Sequence, residues 1–177
     1  MAANIAPGMN RNFTAENWTN LMDRKLWYSA VDEAQDLIDD RVETDIQGYD
    51  IDGDVIRTAR RNAQEAGVDH LIHFQQRAVK DLSHPKKYGF IITNPPYGER
   101  LEEKEALPRL YREFGESFRR LDSWSAYMIT SYEEAERYFG RKADKNRKIY
   151  NGMLKTYFYQ FSGPRPPRQK KTEGTEK

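Results

Sequence analysis

The chain of 177 residues is long enough for one domain of ordinary size and short for two. Hydrophobic residues make up 37% and charged residues 32%, yet aromatics reach 12%, which argues against a chain disordered throughout. With 29 basic against 28 acidic residues and no cysteine, the composition excludes a disulfide scaffold and a thiolate metal site and announces no polyanion binder. No apolar run approaches the ~20 residues of a membrane helix. The start, Met1-Ala2-Ala3-Asn4, lacks the charged and apolar regions of a signal peptide. Three scattered histidines (His70, His73, His84) are too few for a metal cage. The expectation is a cytoplasmic domain without metal or membrane contact.

Residues 1–13 read as a loop, broken at Pro7-Gly8. From Thr14 to Ile38 apolar residues such as Leu21, Met22, Leu26, Val31 and Leu37 recur at helical spacing, which predicts an amphipathic helix broken once. The acidic patch after it (Asp36, Asp39, Asp40, Glu43) reads as a solvated helix end. A short strand is expected over 45–50. A helix over 54–66 follows, capped by Gly67. Strands are expected over 71–75 and 89–93, the second mostly apolar and stopped by Asn94-Pro95-Pro96-Tyr97-Gly98. Leu107, Leu110, Tyr111, Phe114, Phe118 and Leu121 predict the next helix, and 124–130 the fourth strand. Ser131 with Glu134 has the spacing of a capping box opening a short helix that Gly140 closes. Asn151-Gly152 between two strand-like arms predicts a hairpin. From Gly163 the tail holds five basic and two acidic residues and reads as disordered. Strands alternating with helices give an α/β fold, a mostly parallel sheet with helices on its faces and a terminal antiparallel hairpin.

The sharpest chemical feature is Asn94-Pro95-Pro96-Tyr97. Neither proline has an N–H, so the strand cannot continue its ladder through them. Asn94 and Pro95 each precede a proline and are held extended. The product is a stiff segment at the C-terminal end of a strand, where open α/β sheets place ligands. The Asn94 amide oxygen and the Pro95 carbonyl can take the two hydrogens of a planar amine, and the Tyr97 ring can stack on the base that carries it. A double proline after a strand is by itself usually a rigid turn; Asn before it and Tyr after it favour the site. Asp50 ends the first strand and can accept from both hydroxyls of a ribose, or it can cap a turn. Asp52 suits the N-cap of the following helix. The loop at Gln76-Arg77-Ala78-Val79 borders the space an adenine would take. Glu99-Arg100 reads as a surface pair, with a phosphate contact by Arg100 as the alternative.

At these residues the sequence resembles the class I S-adenosylmethionine-dependent N-methyltransferases with an Asn-Pro-Pro-Tyr motif. NPPYGERL at 94–101, KADKNRKIYNG at 142–152 and GPRPP at 163–167 look like the RlmL-type (UPF0020) ribosomal RNA methyltransferases. The resemblance implies a Rossmann-like fold and S-adenosylmethionine as cofactor. It implies methyl transfer to guanine N2 of 23S ribosomal RNA as the activity, with a DNA adenine-N6 methyltransferase or a non-catalytic fragment as alternatives. Carried over, Asn94, Pro95, Pro96 and Tyr97 form the catalytic set. Asp50, Ile51, Ala78 and Asn94 hold the cofactor. Ala78 stands where related enzymes place an acid, so any adenine contact there falls to the backbone.

The family's Gly-rich loop after its first strand, and an RNA-binding THUMP domain before it, have no counterpart in the sequence. The expectation is therefore an N-terminally truncated catalytic domain over 1–162 with a basic tail over 163–177. The absent strand would leave open edges beside the strands ending at Asp50 and Thr93. Cofactor binding by the isolated 177 residues is expected to be weak.

Overall fold

The computed structural model describes residues 2–9, 11–98 and 101–167, apart from the side chains of 101–103 and 151. Their order is a 3₁₀ turn (Thr14–Asn17), α1 (Arg24–Asp36), β1 (Ile46–Asp50), α2 (Gly53–Glu65), β2 (Ile72–Gln76), β3 (Phe90–Thr93), α3 (Leu101–Arg120), β4 (Ser125–Thr130), α4 (Ala135–Phe139), β5 (Lys145–Asn151) and β6 (Leu154–Phe161). Short 3₁₀ turns also lie at Asp69–Leu71 and Val79–Asp81. No helix is long and apolar enough to cross a membrane, and among the described residues no group of three His, Cys, Asp or Glu comes together. The sequence reads as one domain over 1–162. Backbone packing divides the chain into two compact units, the first ending in sequence at Gln76 and the second starting at Arg77.

In the first unit β1 and β2 pair in parallel, with Gly48 opposite Phe74. A Cβ on Gly48 would lie 2.6 Å from the Phe74 ring, so the glycine gives that ring its place over the strand. The helix expected from Thr14 to Ile38 is broken as anticipated: a 3₁₀ turn, a gap, then α1, which restarts where the Asp23 carboxylate accepts from Lys25 N at 2.9 Å. Across β1 and β2 lies α2, burying Ile56 and Ala63. It ends at Ala66, and Gly67 takes φ +68, the left-handed conformation that closes a helix.

The second unit is built on a four-stranded sheet of order β3-β4-β6-β5. β3 and β4 are parallel; β4 with β6, and β6 with β5, are antiparallel. Period-2 patterning places Ala126, Met128 and Thr130 on the covered face. There α3 contributes Leu107, Tyr111, Phe114 and Phe118, and α4 contributes Phe139. Phe139 meets Phe161 at 4.3 Å and Phe114 edge-on at 5.0 Å between ring centroids. The opposite face carries Phe90, Tyr127 and Phe158 in a row, and Ile92 is 82% exposed. Among the described residues β1 and β3 each form a ladder along one edge alone.

Three local expectations differ from what forms. The helix expected from Leu107 begins at Leu101, with Pro108 inside it. The proline removes a single donor, the one the Lys104 carbonyl would use, and the buried face from Leu107 to Phe118 holds the helix through the gap. The capping box does not form: α4 starts at Ala135 with no side-chain cap. Thr130 Oγ1 instead accepts from Tyr132 N at 3.0 Å, and the Glu134 carboxylate takes Arg137 at 2.6 Å. The hairpin turn slides by one residue. Asn151 pairs with Leu154, leaving Gly152 and Met153 as the loop. Gly152 has φ +61 and Met153 does not share the positive φ, so the turn has the pattern of type II′ rather than type I′.

Among the described glycines of this unit, Gly115 of α3 has the tightest surroundings. A Cβ there would lie 2.0 Å from the Phe139 carbonyl oxygen of α4. Alanine normally gains about 1 kcal/mol over glycine inside a helix. Here overpacking reverses the sign, and Gly115→Ala is expected to lower unfolding free energy by about 1–3 kcal/mol in urea denaturation. A stabilised variant would contradict the packing described.

Candidate functional site

Each unit carries one half of the expected constellation. In the first, Asp50 ends β1. Its Oδ1 accepts from Asp52 N at 2.8 Å, and Asp52 Oδ1 in turn accepts from Asp54 N at 2.7 Å. Asp52 is thus the N-cap of α2, and Asp50 braces the turn before it with one oxygen. Its second oxygen has no protein partner among the described residues. Both open interpretations of Asp50 are therefore present in one side chain: a turn brace and a spare carboxylate acceptor. Ile51, next along, is 72% exposed. Its carbonyl accepts from Gln76 Nε2 at 2.9 Å, which ties the turn to the end of β2. Gln76 drew no specific role from the sequence. A tie over 25 residues becomes visible once β1 and β2 pair in register, with Asp50 opposite Gln76.

In the second unit β3 ends at Thr93, and Asn94 to Tyr97 follow without regular structure. Asn94 and Pro96 are exposed, while Pro95 and Tyr97 are half-buried. The Tyr97 hydroxyl donates to Asn94 Oδ1 in a short hydrogen bond. That bond fixes the amide with its oxygen turned back over the segment and leaves one of its two lone pairs open. Gly98 is buried with φ +75. A Cβ there would lie 2.8 Å from Leu107 and 2.9 Å from Lys104, so the chain turns tightly against the first turns of α3.

Beneath this segment lies a hydroxyl pair that sequence spacing did not reveal. Tyr111 of α3 and Thr130 at the end of β4 meet at 2.6 Å, both buried. Thr130 also accepts from Tyr132 N, and the Tyr132 ring stands 5.1 Å from that of Tyr111. Burial pushes the Tyr111 hydroxyl well above the usual tyrosine range, the bond to Thr130 opposes this, and the nearby Tyr97 and Tyr132 add to it. No spacing rule joins residues 19 apart across a helix and a strand.

Ala78 starts the 3₁₀ turn at Val79–Asp81, and its carbonyl accepts from Asp81 N at 3.0 Å. The turn is held from α3, where Ser117 Oγ at 3.0 Å and Arg120 Nη2 at 2.6 Å both donate to the Lys80 carbonyl. Glu99 and Arg100 lie outside the described residues, as do residues 168–177 of the tail. Within the described part of the tail, Gly163 N donates to Ser125 Oγ at 2.9 Å.

The donor set suits a nucleoside cofactor: a carboxylate with a spare oxygen for ribose hydroxyls, beside an exposed apolar side chain for a base. The Asn94 amide oxygen and the Pro95 carbonyl are acceptors on successive residues, a set that suits an amine.

Comparison with known proteins gives three kinds of match. A family model described as "RMKL-like, methyltransferase domain" (UPF0020) matches residues 1–160. Among curated proteins, YpsC of Bacillus subtilis, named as a candidate RNA methyltransferase, is 45% identical over 96% of this chain and 44% of its own length. Ribosomal RNA large subunit methyltransferase K/L of Shewanella oneidensis is 40% identical over 89% of this chain and 23% of its own. Among solved structures, SMU.472, a candidate methyltransferase complexed with SAH, superposes with a TM-score of 0.86 at 43% identity, covering 93% of this chain and 44% of that one. The chain spans less than half the length of each.

The Tyr111–Thr130 bond makes a prediction with a definite sign. Tyr111 has a raised folded pKa, so its contribution to stability is complete below the ordinary tyrosine value of 10 and is lost as pH rises above it. Tyr111→Phe is expected to cost about 1–2 kcal/mol at pH 9, from the lost bond and the orphaned Thr130 hydroxyl. Wild-type stability should then fall more steeply than the variant's, by up to ~1.4 kcal/mol per pH unit, so the gap narrows by pH 11. Denaturant titrations at the two values measure it; a constant gap would refute the buried neutral tyrosine.

Proposed function

The chain belongs to the RMKL-like methyltransferase domain family, and on that premise we propose that it carries the base-gripping and ribose-holding residues of an S-adenosylmethionine-dependent RNA N-methyltransferase. The observation that carries this reading is the acceptor pair at the end of β3. Asn94 Oδ1 and the Pro95 carbonyl are both acceptors, and the Pro95 and Pro96 nitrogens bring no backbone N–H to compete for them. The substrate is taken as guanine N2 of large-subunit ribosomal RNA. The name of the Shewanella relative supports the ribosomal part, and the resemblance at NPPYGERL and KADKNRKIYNG supports the guanine.

The cofactor supplies a methyl group on a positively charged sulfur, an already activated donor. The chain's own residues do the rest. Asp50 accepts from ribose hydroxyls with its spare oxygen, and Ile51 offers an apolar surface beside it. The backbone at Ala78 borders the adenine. Asn94 Oδ1 and the Pro95 carbonyl take the two amine hydrogens and aim the nitrogen lone pair at the methyl carbon. As the N–C bond formed, the methyl–sulfur bond would break with its electron pair left on the sulfur, and the positive charge passing to nitrogen would be stabilised by the two oxygens. One amine hydrogen then leaves as a proton to solvent. Pro96 keeps Tyr97 from folding back into the strand line, and the Tyr97 ring stacks on the extruded base, offsetting part of the few kcal/mol that extrusion costs.

Asn94→Ala removes one of the two acceptors and leaves the ribose-holding residues untouched. It is expected to lower methyl transfer by about 10²–10³-fold. Transfer is followed with labelled cofactor on ribosomal RNA and, in parallel, on duplex DNA. Activity within tenfold of wild type would sink the amine-gripping role, and transfer to DNA alone would establish the adenine-N6 alternative.

A further inference from the structure

The net charge of +1 hides a strong local imbalance. Residues 141–155 hold six cations (Arg141, Lys142, Lys145, Arg147, Lys148, Lys155) and one acid, Asp144, for a local charge of +5. Removing them leaves 23 basic and 27 acidic residues, a charge of −4. Two of the six cations have acidic partners: Arg141 with Asp144 at 2.9 Å, and Lys155 with Glu133 at 3.1 Å. Lys142, Lys145, Arg147 and Lys148 are exposed and take part in no ion pair among the described residues.

Topology says where this charge stands. β5 is antiparallel to β6, and β6 to β4, so β5 runs parallel to β3 and β4. Its tip therefore lies at the same end of the sheet as Asn94. Thr130 at the end of β4 is opposite Tyr157, which is opposite Lys148. Three further residues of β5 extend past that level, about 10 Å at ~3.3 Å per residue. The hairpin thus overhangs the rim where the base-gripping segment leaves β3. It is three strand positions from β3, about 14 Å at ~4.8 Å per strand. Along the outer edge of β5, Lys145 and Arg147 point to one side and Lys148 to the other, all exposed. Tyr150 is 63% exposed and has the Lys148 ammonium 5.5 Å from its ring centroid.

Resting on the RNA reading above, we propose that the outer edge of β5, through Lys145, Arg147, Lys148 and Tyr150, is the track on which the RNA strand flanking the reacting base is held. The cations neutralise phosphates. Tyr150 gives a neighbouring base a face to stack on. Edge strands commonly carry lysine simply to discourage pairing with another sheet. That task needs charge of either sign, whereas a phosphate track needs positive charge, and this difference sets the test.

The triple variant K145E/R147E/K148E keeps the edge charged and reverses its sign. Binding of a labelled single-stranded RNA oligonucleotide is followed by fluorescence anisotropy over a series of salt concentrations. The slope of log K against log salt is expected to become shallower by about 2, from three lost phosphate contacts at roughly 0.7 each, with affinity at low salt falling at least roughly tenfold. The thermal melt should be unchanged. The same slope and affinity in the variant, or no RNA binding by the wild-type chain, would overturn the proposal. Asn94→Ala, run beside it, separates the two readings. It should keep the wild-type salt slope, since no charge is lost, while losing transfer. If it loses transfer and the triple variant still binds normally, the hairpin inference alone is wrong. If the triple variant loses affinity while Asn94→Ala transfers normally, the base grip is what fails.

Discussion

Two successive prolines decide the end of β3, and much of the second unit follows from them. Pro95 and Pro96 have no N–H, so the segment can neither prolong the parallel ladder with β4 nor wind at once into a helix. The chain leaves the sheet rim in an extended form and must turn before α3 can begin. Gly98 provides that turn at φ +75, pressed against Leu107 and Lys104. α3 then crosses the sheet with Leu107, Tyr111, Phe114 and Phe118 buried, and Tyr111 arrives at Thr130. Near the rim two separate bonds form, Tyr97 to Asn94 and Tyr111 to Thr130. Rigidity at the site is therefore partly covalent, in the proline rings, and partly a product of packing.

Much of this was legible in the sequence, for physical reasons that can be named. Short runs bounded by breakers located β1 to β4 within a residue, whereas the start of β5, rich in Lys and Arg, had no apolar run to mark it. Gly67 and Gly140 marked helix ends because a left-handed residue is needed there, and both have positive φ. The failures share one cause, which is competition from groups distant in sequence or chosen by tertiary packing. Thr130 took the Tyr132 N–H and left the Ser131–Glu134 box unmade. Core packing carried α3 through Pro108. The β5–β6 register set the hairpin loop at Gly152-Met153 instead of Asn151-Gly152. Within the site, the position of Asn94 to Tyr97 at a strand end could be read locally. The Tyr111–Thr130 bond and the Gln76 tie to Ile51 could not, since both depend on which strands lie side by side.

Charge illustrates the same limit. A sum of +1 is a property of composition, and composition does not record that one hairpin is cationic while the remainder is acidic. Strand order converts that imbalance into a position, because an even number of antiparallel steps returns β5 to the direction of β3. The chemistry of the acceptor pair and the placement of the basic edge thus come to the same rim by independent routes, one from proline stereochemistry and one from sheet topology.

The central claim is that the end of β3 recognises an amine through two oxygen acceptors. The most direct measurement is the position of the transferred methyl group, found by nuclease digestion and mass spectrometry of RNA methylated by the protein. The account predicts methyl on an exocyclic nitrogen, with no transfer when that amine is replaced by hydrogen in the target base. Methyl on a ribose oxygen or a ring carbon, or undiminished transfer to the base lacking its amine, would contradict it.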